Sequence, residues 1–183
     1  MASSSSHQYD GMNLDQIATE RGTSPFQALV AVLLQERLQA SMTVFAMDEA
    51  DVATAISHPF SMIGSDGLPP GNDGKPHPRM FGTFPRILAK YVRDTGLLSL
   101  PEAVRKMTGL PAEAFGINDR GLIRQGLAAD LVLFDAETIT DRATYEQPQR
   151  PADGIRMVVV NGRIAVEEGE YTGARAGRRL TAA

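Results

Sequence analysis

Apolar positions come in short blocks separated by strong helix-start and turn signals. Residues 28–34 are apolar without interruption, and Ser24-Pro25-Phe26-Gln27 before them joins a capping box to a proline at the first helical position. This predicts a helix running to about Ala40, apolar on nearly every side and so packed between layers. Asn13 reads as the N-cap of an earlier helix. Residues 42–47 (Met-Thr-Val-Phe-Ala-Met) have the character of a buried strand. Asp48 then caps a helix over 49–57, which Pro59 ends. Residues 60–64 read as a second short strand, delivering Ser65-Asp66-Gly67. Strand, helix, strand at this spacing is the rhythm of a parallel sheet covered by helices.

From Leu68 to Gly82 four prolines and several glycines mark a loop. Loops of this length within a compact domain are often binding loops or lids. A helix over 84–95 follows, then Ser99-Leu100-Pro101-Glu102 as a capping box for a helix to Met107, with Gly109 at its end. After Gly116 the pattern turns to β. Residues 122–124 and 130–134 are short strands, 139–154 an extended surface segment, and 155–166 a hairpin. Its Asn161-Gly162 pair suits a type I′ turn, where both central residues need positive φ.

Composition narrows the partners. Eighteen basic against 22 acidic side chains give a net charge of −4, which argues against nucleic acid. The longest wholly apolar run is far shorter than the roughly 20 residues that cross a bilayer, so no membrane partner is expected. The N-terminal sequence lacks the features of a secretory signal and there are no cysteines, so a cytoplasmic location is expected.

Asp66 is the first candidate for chemistry, because it follows an apolar strand at the end where α/β folds gather catalytic groups. The pattern by itself favours a plain turn residue there. Arg79, in the proline-stiffened Lys75-Pro76-His77-Pro78-Arg79, suits recognition of a carboxylate, although a solvated basic loop accounts for the pattern at least as well. The three histidines (His7, His58 and His77) share no metal-ligand spacing. His7, after a serine run, reads as mobile.

Taken together, Met62-Ile63-Gly64-Ser65-Asp66-Gly67-Leu68-Pro69, His77-Pro78-Arg79 and Gly82-Thr83-Phe84-Pro85-Arg86 resemble the C-terminal part of the N-acyl-D-amino-acid deacylases, members of the amidohydrolase superfamily. The similarity continues through residues 103–112 and 126–135 and ends with Val160-Asn161-Gly162 and Thr172-Gly173-Ala174-Arg175. It implies an α/β fold: the C-terminal part of a TIM-like (β/α)8 barrel over 1–116, followed by a small β-sandwich domain over 117–183. It places residues 44–47 in the strand before the one that ends at Asp66. It also implies that Asp66 is the general base acting on a zinc-bound water, then the donor to the leaving amide nitrogen, and a candidate ligand on the second-metal side only. Arg79 would hold the substrate α-carboxylate, with Ser65, Gly67 and His77 lining the same site.

The resemblance also implies what this chain lacks. A complete barrel takes about 250 residues, and here about 100 are left for it. The family's principal zinc ligands, a His-x-His pair, a bridging cysteine and further histidines, come from earlier strands. The expectation is therefore a truncated C-terminal part of a zinc-dependent deacylase, inactive alone, that self-associates or pairs with a missing N-terminal barrel half. Two alternatives stand beside it: a non-catalytic assembly module of a split amidohydrolase, and a cyclic-amide hydrolase of the dihydroorotase or hydantoinase kind.

Overall fold

In a computed structural model of the chain, residues 1–67 and 74–181 are described. Leu68 and Pro69 of the quoted block, and the centre of the long loop, lie outside them. Met1–Ala46, Asp66–Phe81 and Ala143–Arg150 form one compact unit; Met47–Ser65, Gly82–Arg142 and the chain from Pro151 onward form another. No helix among the described residues is long and apolar enough to cross a membrane.

The first unit opens with β1 (Ser3–Ser4), which pairs antiparallel with β2 (Ala40–Ser41). Between them lie α1 (Leu14–Arg21) and α2 (Pro25–Gln35). Both begin as the sequence predicts. The Asn13 side chain accepts from the Gln16 backbone at 2.8 Å while the Gln16 side chain accepts from the Asn13 backbone at 2.8 Å, and Ser24 and Gln27 repeat the exchange. Tyr9, Ile17, Ala18, Ala28 and Val32 make the core of this unit. Helix α2 departs from expectation twice. It stops at Gln35 rather than Ala40, because Arg37 and Leu38 take left-handed backbone (φ 53° and 64°) and Leu38 N–H closes the turn onto the Leu33 carbonyl at 2.8 Å. Nor is it packed between layers: only one of its faces is buried. His7 sits in a turn with Nδ1 2.9 Å from Asp10 Oδ2.

In the second unit α3 (Glu49–Ser57) starts from Asp48, whose side chain accepts from Ala50 N–H at 2.7 Å. Helix α4 (Arg79–Arg86) begins inside the stretch expected to be loop; Pro78 just before it supplies a fixed φ suited to a helix start. Pro85 lacks the N–H that the helical ladder needs. Directly beyond it the helix widens into a π-helix, Ile87–Asp94. Gly82 leaves room on this helix for Asp141, whose carboxylate a Cβ there would force to move. Helices α5 (Leu100–Met107) and α6 (Gly109–Ala114) follow. Ser99 caps α5, but Glu102 turns to Arg105 at 2.8 Å, so only the Ser99 half of the predicted exchange is present.

Ile87, Leu88, Tyr91, Leu98, Ala103 and Ile139 form the second core. Ile139 corrects the expectation of a surface segment: the 139–154 stretch drives this residue inward and bridges at Thr140 and Asp153. β3 (Leu131–Phe134), β4 (Ile155–Val160), β5 (Arg163–Glu167) and β6 (Glu170–Tyr171) form an antiparallel sheet in chain order. The β4–β5 turn has positive φ at both Asn161 and Gly162 (46° and 77°), as the hairpin requires. Residues 42–47, 60–64 and 122–124 form no strand ladder. Strand propensity without a partner to pair with makes no sheet.

Lys106 is wholly buried. Its ammonium donates to the Ser61 carbonyl and hydroxyl, each at 3.1 Å, and to the His58 carbonyl. With Ile63 N–H on the Lys106 carbonyl at 3.0 Å, α5 grips the stretch that leads to Ser65.

Candidate active site

Asp66 has φ 48°, a left-handed conformation that costs a residue with a Cβ, though Asp bears it better than most. Its side chain is 79% exposed, and Oδ2 lies 2.9 Å from Nη1 of Arg79. Two residues thirteen positions apart are thus joined at the ends of the long loop, one by a strained turn and the other by the first turn of α4.

His77 completes the cluster. The Arg79 backbone N–H donates to His77 Nδ1 at 3.1 Å, so the ring proton sits on Nε2, which faces Tyr145 Oη at 3.2 Å. The rings of His77 and Tyr145 meet edge-on with centroids 5.3 Å apart, and Phe45 lies 4.8 Å from Tyr145 on the same basis. Partial burial, reinforced by the Arg79 guanidinium and opposed by Asp66, pulls the His77 pKa below its ordinary value. The imidazole is therefore a neutral, oriented wall. Tyr145 and Phe45 are the residues that sequence reasoning missed here.

Of the predicted set, the structure brings Asp66, Arg79 and His77 together. Ser65 and Gly67 flank Asp66 in the chain, and both are partly buried. Among the described residues no three His, Cys, Asp or Glu side chains gather as a metal site. His7 is engaged by Asp10, and His58 lies against Phe60 with ring centroids 5.6 Å apart. The residues present do not by themselves fit a zinc ion. What they offer is one exposed carboxylate, a fixed guanidinium and a neutral imidazole, a set that can move a proton and bind an anionic group.

The class follows from the comparison of the whole chain: residues 7–166 match the amidohydrolase family, and the chain belongs to it. Within that family it is similar to a D-aminoacylase of Alcaligenes xylosoxydans xylosoxydans, 47% identical over 170 residues. The match covers 93% of this chain and 34% of the relative. A solved D-aminoacylase structure, described through its binuclear metal centre, superposes with a TM-score of 0.84 at 46% identity, over 92% of this chain and 34% of that one. The N-acyl-D-glutamate deacylase of Bordetella bronchiseptica, solved with zinc and a phosphonate mimic of the tetrahedral intermediate, gives a TM-score of 0.74 at 40% identity, over 87% and 33%. The fold is therefore that of the D-aminoacylase structures, and the chain spans about a third of the length of these relatives.

Proposed function

We propose that this chain carries the proton-transferring and substrate-anchoring side of an N-acyl-D-amino-acid deacylase, which cleaves a linear amide to a carboxylate and a free D-amino acid. The observation that carries the reading is the 2.9 Å Asp66–Arg79 pair: it holds a carboxylate and a carboxylate receptor within one site. Asp66 takes a proton as water adds to the acyl carbon, and gives it to the amide nitrogen as the carbon–nitrogen bond breaks. Arg79 anchors the α-carboxylate of the substrate through its planar fork, and neutral His77 and Tyr145 wall that anchor. Ser65 and Gly67 shape the turn that aims Asp66. In this reading residues 1–116 are the C-terminal part of a (β/α)8 barrel and 117–183 a small β-sandwich domain. The similarity to deacylases over nine-tenths of the chain favours a linear amide over a cyclic one.

The test is a chimera in which these residues replace the matched third of the Alcaligenes D-aminoacylase. It should hydrolyse N-acetyl-D-methionine and leave the L-enantiomer intact. A folded chimera that turns over neither enantiomer, or both alike, would overturn the assignment.

A further inference from the structure

Residues 143–150 part company with the chain around them. They belong with Met1–Ala46 and Asp66–Phe81 in the first unit, whereas the stretches before and after them belong to the second. They form a turn closed on itself: Thr144 N–H donates to the Gln147 carbonyl at 3.1 Å and Gln147 N–H to Thr144 Oγ1 at 3.0 Å, with Ala143 and Pro148 buried on either side. Tyr145 is presented from this stiff turn. Its ring is backed by Phe45 and its hydroxyl meets His77, two residues of the same unit.

A neutral imidazole has one donor and one acceptor. In His77 the acceptor, Nδ1, takes the Arg79 backbone N–H at 3.1 Å, so the ring proton is on Nε2 and the Tyr145 oxygen at 3.2 Å receives it. Pro76 and Pro78 restrict the main chain on both sides of His77 but leave its ring free to turn. A half-turn would put carbon where each nitrogen now stands. The hydroxyl and the Arg79 amide therefore fix one ring orientation together, and without the hydroxyl the amide must hold it alone. Arg79 is in consequence tethered twice, by its main chain to His77 and by its guanidinium to Asp66 at 2.9 Å. Only the second tether has to break for the guanidinium to take a carboxylate ligand; the first keeps the main chain in place, which lowers the ordering cost of binding. We propose, given the anchoring role assigned to Arg79 above, that Tyr145 is a positioning residue for that anchor: its hydroxyl orients His77, whose Nδ1 fixes the Arg79 main chain.

The test uses both the chimera and the chain by itself. In the chimera Tyr145→Phe, which keeps the ring and removes the hydroxyl, should raise KM for N-acetyl-D-methionine about three- to tenfold with kcat little changed, the size of one neutral hydrogen bond. The same substitution should have no further effect in a His77→Ala background, because the hydroxyl acts only through the imidazole. In the chain alone, NMR should show the Arg79 amide exchanging with solvent about three- to tenfold faster in Tyr145→Phe, while the amides of α1 and α2 keep their rates. An unchanged KM in the active chimera would overturn the proposal and leave the deacylase reading standing. So would an equal rise in KM with and without His77, which would mean that the hydroxyl touches the substrate directly. A chimera without activity would count against the deacylase reading instead. The chain then decides the positioning role: faster Arg79 exchange in Tyr145→Phe upholds it, and an unchanged rate overturns it.

Discussion

Asp66 holds its carboxylate on a backbone that few residues tolerate, and this allows shape to be separated from charge. Asn accepts left-handed φ as readily as Asp, so Asp66→Asn keeps the turn while removing the proposed proton carrier and its charge pairing with Arg79. In the active chimera its kcat should fall by about 10²- to 10⁴-fold. Arg79→Ala should instead raise KM for N-acetyl-D-methionine with kcat little changed, since in the proposed role the guanidinium binds the α-carboxylate, a group that does not react. Steady-state kinetics of both variants checks the split, and an unchanged KM in Arg79→Ala would remove the anchoring role. Asp66 and Arg79 were legible in the sequence through the family motifs around them, since the pattern by itself favours a turn residue and a solvated basic loop. Tyr145 was not. Its partner His77 lies 68 positions earlier, and nothing in the polar stretch around Tyr145 encodes that contact.

At the scale of elements, local rules succeeded where a side chain answers to its own neighbours. The caps at Asn13, Ser24 and Asp48 and the Asn161-Gly162 hairpin are of this kind. The strands expected at 42–47 and 60–64 failed because pairing is decided by a partner, not by propensity. The second of these is instead clamped by Lys106. Lys106→Met should destabilise the chain by about 1–3 kcal/mol, because it removes the ammonium that the Ser61 carbonyl accepts from and that ties it to the His58 carbonyl; chemical denaturation measures it. The His58 carbonyl keeps the Ser61 N–H and hydroxyl as donors. A second tie joins α3 to the π-helix, where Glu49 accepts from Tyr91 Oη at 2.6 Å. Burial and that bond push the Tyr91 pKa up to about 12, above the ordinary value of 10.0. The folded state thus keeps a proton that the unfolded chain has released, and stability must fall as pH rises from 10 to about 12. The same tie, led by the Lys90 ammonium, holds Glu49 below the usual carboxylate range, so its contribution is lost only toward acid. Urea melts across the alkaline window should show the Tyr91 slope in the wild type and its loss in Tyr91→Phe.

For the whole molecule the deciding quantity is how many metal ligands the chain can bring to one point. Its histidines are dispersed: His7 is turned to Asp10, His77 is held between Arg79 and Tyr145, and His58 packs on Phe60. There is no cysteine to bridge two ions. Among the described residues Asp66 is the one carboxylate that this site brings forward, and Arg79 pairs with it. Tight zinc binding needs three or four protein ligands in fixed geometry, and a lone exposed carboxylate supplies one. At micromolar free zinc the gel-filtered chain should therefore carry far less than one ion, and its melting temperature should not move, because stabilisation grows only as RT ln(1 + [L]/Kd). Elemental analysis and a thermal melt with and without zinc measure the two arms. One zinc retained per chain, together with a raised Tm, would mean that the chain closes a metal site around Asp66 and breaks the Arg79 pair to do so. Retention in the wild type and loss in Asp66→Asn would then place the ion on that carboxylate. If zinc is instead retained only when the rest of a deacylase polypeptide is bound, the carboxylate and the ion meet across an assembly, and Arg79 holds Asp66 until they do.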